Sequence, residues 1–186
     1  GGGRINTDAI DNSAGVDTSD HEVNIKVLTG DVLARGDMTL KQRDQLLASM
    51  TDEVGELVLT DNYLQPQAIS VAGAAGVGGL EEQARFMRVL EKAGHLNRSI
   101  EFLPDEEEIA ARAGRGLGLT RPELAVLLAY SKITLYDQLL ESNLPDDPRM
   151  AEDLVKYFPK ALRRDYREAI ERHRLRREII DRKSVV

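Results

Sequence analysis

The sequence predicts a mainly α-helical fold with one short strand near its start. Three observations carry that reading. Apolar residues recur at three- and four-residue intervals through several segments. Those segments are bracketed by Ser/Thr-x-x-Glu/Gln and Asp-Pro starts and by glycine stops. Only Arg4 to Asp8, where Ile5 and Thr7 alternate with polar residues behind three glycines, reads as extended.

Ser19 with Glu22 forms a capping box, opening a helix that runs to Arg35 and is broken by Gly36-Asp37. Thr39 with Gln42 opens a helix in which Leu40, Leu46, Leu47, Met50, Val54, Leu57 and Val58 share helical spacing, and Pro66 is expected to bend or interrupt the chain beyond it. Leu80 to Lys92 makes another helix, with Gly94 as its C-cap. Pro104 and the acids Asp105 to Glu108 open the next, their charges complementing the helix dipole. Thr120 and Glu123 cap a helix that is apolar on every side from Leu124 to Tyr130, the mark of a central, buried element. Asp147-Pro148 starts the segment to Tyr157, and Pro159 separates it from one last helix carrying Leu162, Tyr166, Ala169, Ile170, His173 and Ile180 near one face. His173 on that stripe reads as a core or interface histidine.

The stretch from Asp8 to Glu22 reads as a ligand-facing corner. Asn12, Ser13, Ala14 and Gly15 present little bulk, so a flat ligand could approach the backbone, and Gly15 could take positive φ. A helix beginning at Ser19 would turn its free amides toward that corner, where a carboxylate or phosphate is favoured. The glycine cluster Gly73 to Gly79 lacks both a convincing leading strand and a closing Gly-Lys-Ser/Thr, so it is expected to be a flexible joint between helices rather than a phosphate loop. Gly114 to Gly118 precedes the helix at Thr120 and could face an anion, but termination of a helix by glycine explains it more simply.

The order of residues in this corner resembles the glutamate dehydrogenase pattern Pro-Asp-x-x-x-Asn-Ala-Gly-Gly-Val-x-x-Ser-Tyr-x-Glu. Asp8, Asn12, Gly15, Val16, Ser19 and Glu22 match it, while Thr7, Ser13, Ala14 and Asp20 depart from it and point away from the short hexameric enzymes. The whole string from Gly2 to Lys26 resembles the large bacterial NAD-specific glutamate dehydrogenases. So do Leu90 to Arg98, Leu119 to Lys132 and Tyr157-Phe-Pro159, and the likeness covers nearly the whole chain.

The resemblance implies the last strand and active-site corner of a Rossmann-type dehydrogenase domain in residues 1–37, followed by an α-helical C-terminal region in residues 38–186. It implies oxidative deamination of L-glutamate to 2-oxoglutarate and ammonia with reduction of NAD. Asn12 would lie beside the nicotinamide carboxamide, Val16 would line the pocket around the substrate's methylenes, and Ser19 would donate to its side-chain carboxylate. The catalytic lysine and aspartate of the family lie upstream, and none of the seven lysines here sits in a motif that receives a role. A Gly-x-Gly-x-x-Gly unit between strand and helix is also absent. The chain is therefore expected to be an incomplete portion of the enzyme, inactive alone, with the remainder of the same polypeptide and further copies of itself as partners. Leucine and phenylalanine dehydrogenases use related folds, but Ser19 suits a carboxylate side chain better than an apolar one.

Composition narrows the classes. The 186 residues are 41% hydrophobic and 31% charged, with a formal net charge of −7, which suits a cytoplasmic protein. No cysteine is present, so disulfides and thiolate metal sites are excluded. His21, His95 and His173 form no His-x-x-x-His pair, and no metal site is expected. No apolar run is long enough for a membrane span. Between Pro159 and Lys183 ten Lys/Arg outnumber five Asp/Glu, but the acids are interspersed and aromatic residues are few, so a solvated face, or a contact with acidic parts of the same assembly, is preferred over nucleic-acid binding. The alternative to the enzyme is a non-catalytic helical module for oligomerisation or regulation, in which no nucleotide fingerprint would precede Gly1.

Overall fold

The structure is a computed structural model that describes residues 5–185. Its helices are α1 (Asp8–Asp11), α2 (Ser13–Ala34), α3 (Leu40–Ser49), α4 (Thr51–Ala74), α5 (Leu80–Lys92), α6 (Glu106–Gly114), α7 (Arg121–Glu141), α8 (Ala151–Tyr157), α9 (Lys160–Asp165), α10 (Arg167–Glu171) and α11 (Arg176–Val185). Short 3-10 turns occupy Gly76–Gly79, Leu144–Asp146 and Pro148–Met150. The mainly α expectation holds, but no strand occurs among the described residues.

The expected strand is corrected at its own residues. Arg4 lies outside the described residues, Ile5 to Thr7 carry no regular structure, and Asp8 is already helical. Local bonds explain the difference. The Thr7 carbonyl accepts the amides of Ile10 (3.0 Å) and Asp11 (2.8 Å). The Asp11 carboxylate accepts from the backbone and side chain of Asn6 at 3.1 and 2.6 Å. A lone extended segment has no ladder to join, whereas these bonds form within six residues.

The chain divides into two compact units, residues 1–13 with 62–134 and residues 14–61 with 135–186. In the first, Leu80, Ala84, Met87 and Leu90 form the buried stripe of α5 and meet Leu96, Leu103, Ile109 and Leu127. This stripe repeats at i, i+4, i+7, i+10, one face of a helix. As expected, α5 spans Leu80–Lys92 and is followed by Gly94 at φ +77°, a left-handed conformation that costs glycine nothing. Leu124, Ala125 and Leu127 of α7 are buried, whereas Val126, Leu128 and Tyr130 are only partly so. The two glycine clusters meet here: a Cβ on Gly118 would lie 2.6 Å from the Gly76 carbonyl oxygen, so the missing side chain permits backbone-to-backbone contact. A concave, mostly apolar groove in the same unit is lined by Ile69, Ala72, Phe86, Val89, Leu124 and Leu128.

Pro66 neither ends nor interrupts α4. A mid-helix proline costs about 3 kcal/mol, and tertiary contacts offset it. Ile69, one turn on, is buried, while Arg121 donates to the Pro66 carbonyl (3.0 Å) and to Ser70 Oγ (2.8 Å).

In the second unit the core gathers Ile25, Leu28, Met50, Leu154, Val155, Tyr157, Phe158, Leu162, Ile170, Ile179 and Ile180. The single helix expected after Thr39 is two, α3 and α4, divided at Met50, which buries its side chain while its amide donates three residues back to the Leu47 carbonyl (3.2 Å). The Thr39–Gln42 capping box that opens α3 is present as expected. Beyond Pro159 the expected single helix is three. It breaks at Tyr166 (φ −134°) and again at Arg172 and His173, where the imidazole Nδ1 takes the amide of Leu175 (3.0 Å). Leu162, Ile170, His173 and Ile180 are nevertheless all buried, so periodicity identifies the inward face even though it does not reveal the breaks.

One buried acid stands out. Asp181 is 1% exposed and its Oδ2 has no hydrogen-bond partner, so burial pushes its carboxyl above the usual range despite the nearby Arg177. A raised folded pKa means the folded state holds a proton that the unfolded state releases, so stability falls as pH rises from the ordinary aspartate range through the folded value. Asp181→Asn is expected to stabilise the chain by about 1 kcal/mol near neutral pH and to flatten that slope. Urea midpoints at acid and neutral pH check it; an Asn variant with the wild-type slope would sink the account.

Candidate functional site

The corner and its helix differ in the structure from the expectation. Ser19 is not an N-cap. It lies inside α2, and its hydroxyl donates back to the Gly15 carbonyl (3.1 Å), as Thr18 does to Ala14 (2.7 Å). Glu22 accepts instead from Lys26 (2.5 Å), which holds its carboxyl below the usual range. The capping box therefore does not form, and Gly15 is helical rather than left-handed. The helix starts six residues earlier, at Ser13, a buried side chain whose hydroxyl donates to Asn62 Oδ1. Early nucleation there leaves Ser19 no orphan amides to cap.

The residues matched for ligand roles remain accessible. Val16, 59% exposed, and Ser19 lie three apart on one open face of α2, and Val23 (53% exposed) continues it another turn. Asn12 is exposed at the C-terminal end of α1, immediately before α2, and belongs to the other compact unit. Its carboxamide offers donors and an acceptor of the kind that pair with another carboxamide. Two valines left open on one helical face are an apolar surface suited to a covering partner or ligand.

The opposite face of α2 is fixed with polar contacts that sequence reasoning missed. Asp17, His21, Asn24, Ile25, Leu28 and Thr29 are all buried. The His21 ring stacks flat on Tyr157, with centroids 4.5 Å apart and planes inclined by 18°. The Tyr157 hydroxyl donates to Asp20 Oδ2 (2.7 Å) and accepts from Asn24 Nδ2 (2.9 Å). His173 Nε2 lies 3.0 Å from the Asn24 carbonyl oxygen, and since its Nδ1 accepts from Leu175, the proton sits on Nε2. Burial keeps this imidazole neutral by lowering its pKa. The spacing of Asp17, Asp20, His21 and Asn24 could have signalled a polar helix face turned inward.

The arginines of the basic tail find acids. Arg164 meets Asp165 (2.7 Å), Arg167 meets Glu171 (3.0 Å) and Glu152, Arg174 meets Asp31 (3.8 Å), and Arg177 meets Asp146.

Comparison with known proteins places these features. The family described as bacterial NAD-glutamate dehydrogenase, catalytic domain, matches residues 1–72, and the family described as glutamate dehydrogenase, C-terminal, matches residues 116–184. Over 179 residues, 96% of the chain, the sequence is 50% identical to the NAD-specific glutamate dehydrogenase of Halomonas elongata. Over the same length it is 52% identical to that of Pseudomonas aeruginosa and 48% identical to that of Mycobacterium tuberculosis. The chain spans about a tenth of the length of these relatives, 11% in each case. These matches join catalytic-domain to C-terminal sequence of a dehydrogenase family. The chain belongs to the bacterial NAD-specific glutamate dehydrogenase family.

Proposed function

We propose that this chain is part of an NAD-specific glutamate dehydrogenase, in which α2 presents one wall of the glutamate site. The observation that carries the reading is the two-faced character of α2. One side is pinned by Asp17, His21 and Asn24, while Val16 and Ser19 stay open at positions where the family pattern places substrate contacts. Val16 would lie against the methylenes of the substrate. Ser19 would turn its hydroxyl from the Gly15 carbonyl to the side-chain carboxylate, exchanging a weak intrahelical bond for a charge-assisted one. Asn12 would orient the nicotinamide carboxamide.

NAD would accept the hydride from the substrate's α-carbon, which yields 2-oxoglutarate and ammonia after hydrolysis. The described residues supply an open face rather than a cradle, and the 186 residues hold no dinucleotide fingerprint. The acid–base groups and the bulk of the cofactor site would therefore come from other parts of the polypeptide. In this reading the catalytic domain closes within residues 1–72, the stretch its family matches, beyond the boundary at residue 37 that the sequence suggests, and the helices after it form an extension, in a cytoplasmic homo-oligomer. No helix among the described residues is long and apolar enough to cross a membrane.

NADH formation separates the enzyme from a purely helical module. The complete gene product should reduce NAD with L-glutamate and not with L-leucine, L-phenylalanine or L-valine, and the 186-residue chain alone should not. Absence of amino-acid-dependent NADH formation in the complete protein would favour the module. Within the active protein, Ser19→Ala removes one hydrogen bond to a charged group, worth about 1.5–3 kcal/mol. Glutamate kcat/KM should fall by about one to two decades, and wild-type kinetics in a folded variant would reduce Ser19 to a helix surface residue.

A further inference from the structure

Asp17 and His21 stand one turn apart on the inward face of α2, and Asp61 reaches them from α4 within the same compact unit. One ligand atom from each lies within 4.8 Å of those of the other two. Asp17 is 7% and His21 3% exposed, and Asp61 is half-buried. We propose that these three side chains form a binding site for a divalent transition ion of the Zn²⁺ class, tying α2 to α4.

The ligand chemistry selects the ion. Two carboxylates and one imidazole suit a borderline cation, whereas Mg²⁺ and Ca²⁺ prefer oxygen alone. Zinc bonds of about 2.0–2.2 Å place its donors roughly 3.4 Å apart. Donor atoms already within 4.8 Å reach that spacing by small side-chain rotations.

The surroundings hold the donors in place. Tyr157 stacks on the imidazole face, and its hydroxyl is fixed between Asp20 and Asn24. Such outer contacts set the ring orientation that a metal ligand needs. Water would complete the coordination shell on the side of the half-buried Asp61. The open face carrying Val16 and Ser19 lies on the other side of the same helix, so the ion would stiffen α2 without touching that face.

The competing arrangement is a protonated imidazole bridging the two carboxylates, and metal titration separates the two. The complete gene product, stripped with chelator and dialysed, would be titrated with Zn²⁺ by calorimetry near neutral pH. One ion per chain is expected, with affinity reduced by at least about tenfold in Asp61→Asn and in His21→Gln, since even outer-shell changes cost that much. X-ray absorption at the zinc edge on the loaded wild type should show imidazole and carboxylate scattering, which keeps the test decisive if His21→Gln fails to fold. Uptake below one ion per chain, equal affinity in Asp61→Asn, or an edge spectrum lacking imidazole would each overturn the site.

Discussion

Phe158→Ala should destabilise the chain by about 3–5 kcal/mol, as for a fully enclosed aromatic cut back to a methyl group. Phe158 is 0% exposed at the centre of the core formed by α2, α3, α8, α9, α10 and α11. Its ring meets Tyr157 edge-on at 5.1 Å and leans on His173 at 5.5 Å. The flanking residues cannot close a cavity there, because the neighbouring side chains are held by hydrogen bonds as well as by packing. Tyr157 is tied to Asp20 and Asn24, and His173 to the Asn24 carbonyl and the Leu175 amide. Arg163 donates to the Phe158 carbonyl, so the backbone is also fixed. A urea midpoint shift at constant slope would measure the loss. Phe158→Leu, which keeps most of the volume, should cost under about 1.5 kcal/mol. A shift for the alanine variant no larger than that for leucine would show that the core collapses freely around the site.

How much of this is legible in the sequence depends on what fixes each element. The span of α5 is readable to the residue because its apolar stripe, its glycine stop and its charge pattern all agree. The Thr39–Gln42 box is readable because both partners face solvent and nothing else competes for them. The Ser19–Glu22 box has the same spelling but does not form, because a buried Ser13 starts the helix earlier and Lys26 takes the glutamate. The spelling of a cap cannot reveal a competing start upstream. In the tail, periodicity gives the buried set but not the breaks at Tyr166 and His173, since those depend on where an imidazole finds its partners. The inward polar face of α2 escapes a sequence reading for a related reason. Comparing histidines only with one another hides the grouping that the fold makes, which is Asp17, His21 and Asp61 from the following part of the chain.

Glu123→Ala should cost about 3 kcal/mol near neutral pH, at the lower end for breaking a largely buried ion pair because Arg112 is not fully enclosed. Thr120 and Glu123 are expected as a helix start, and the carboxylate does reach back to the Thr120 amide (2.6 Å). It also accepts from both terminal nitrogens of Arg112, at 2.7 and 3.0 Å, while Arg112 donates to Glu108 at 2.7 Å. Burial by itself would raise the Glu123 pKa, but the bonds from Arg112 and Thr120 outweigh it and the carboxyl lies below its usual range. Those bonds to Glu123, and then to Glu108, raise the pKa of Arg112. Alanine would leave the Thr120 amide without its acceptor and Arg112 with only Glu108, in a unit where α6 and α7 meet through this pair. Because the folded pKa of Glu123 is depressed, its contribution is present above the unfolded value of about 4.3. That contribution is lost as pH falls through the lower folded value. The stability gap between wild type and Glu123→Ala should therefore be full at neutral pH and shrink on acidification, and Glu123→Gln should lose less because it retains an acceptor for Thr120. Denaturation midpoints for the three proteins from neutral pH downward test this, and a gap that does not change with pH would locate the energy in packing rather than in charge.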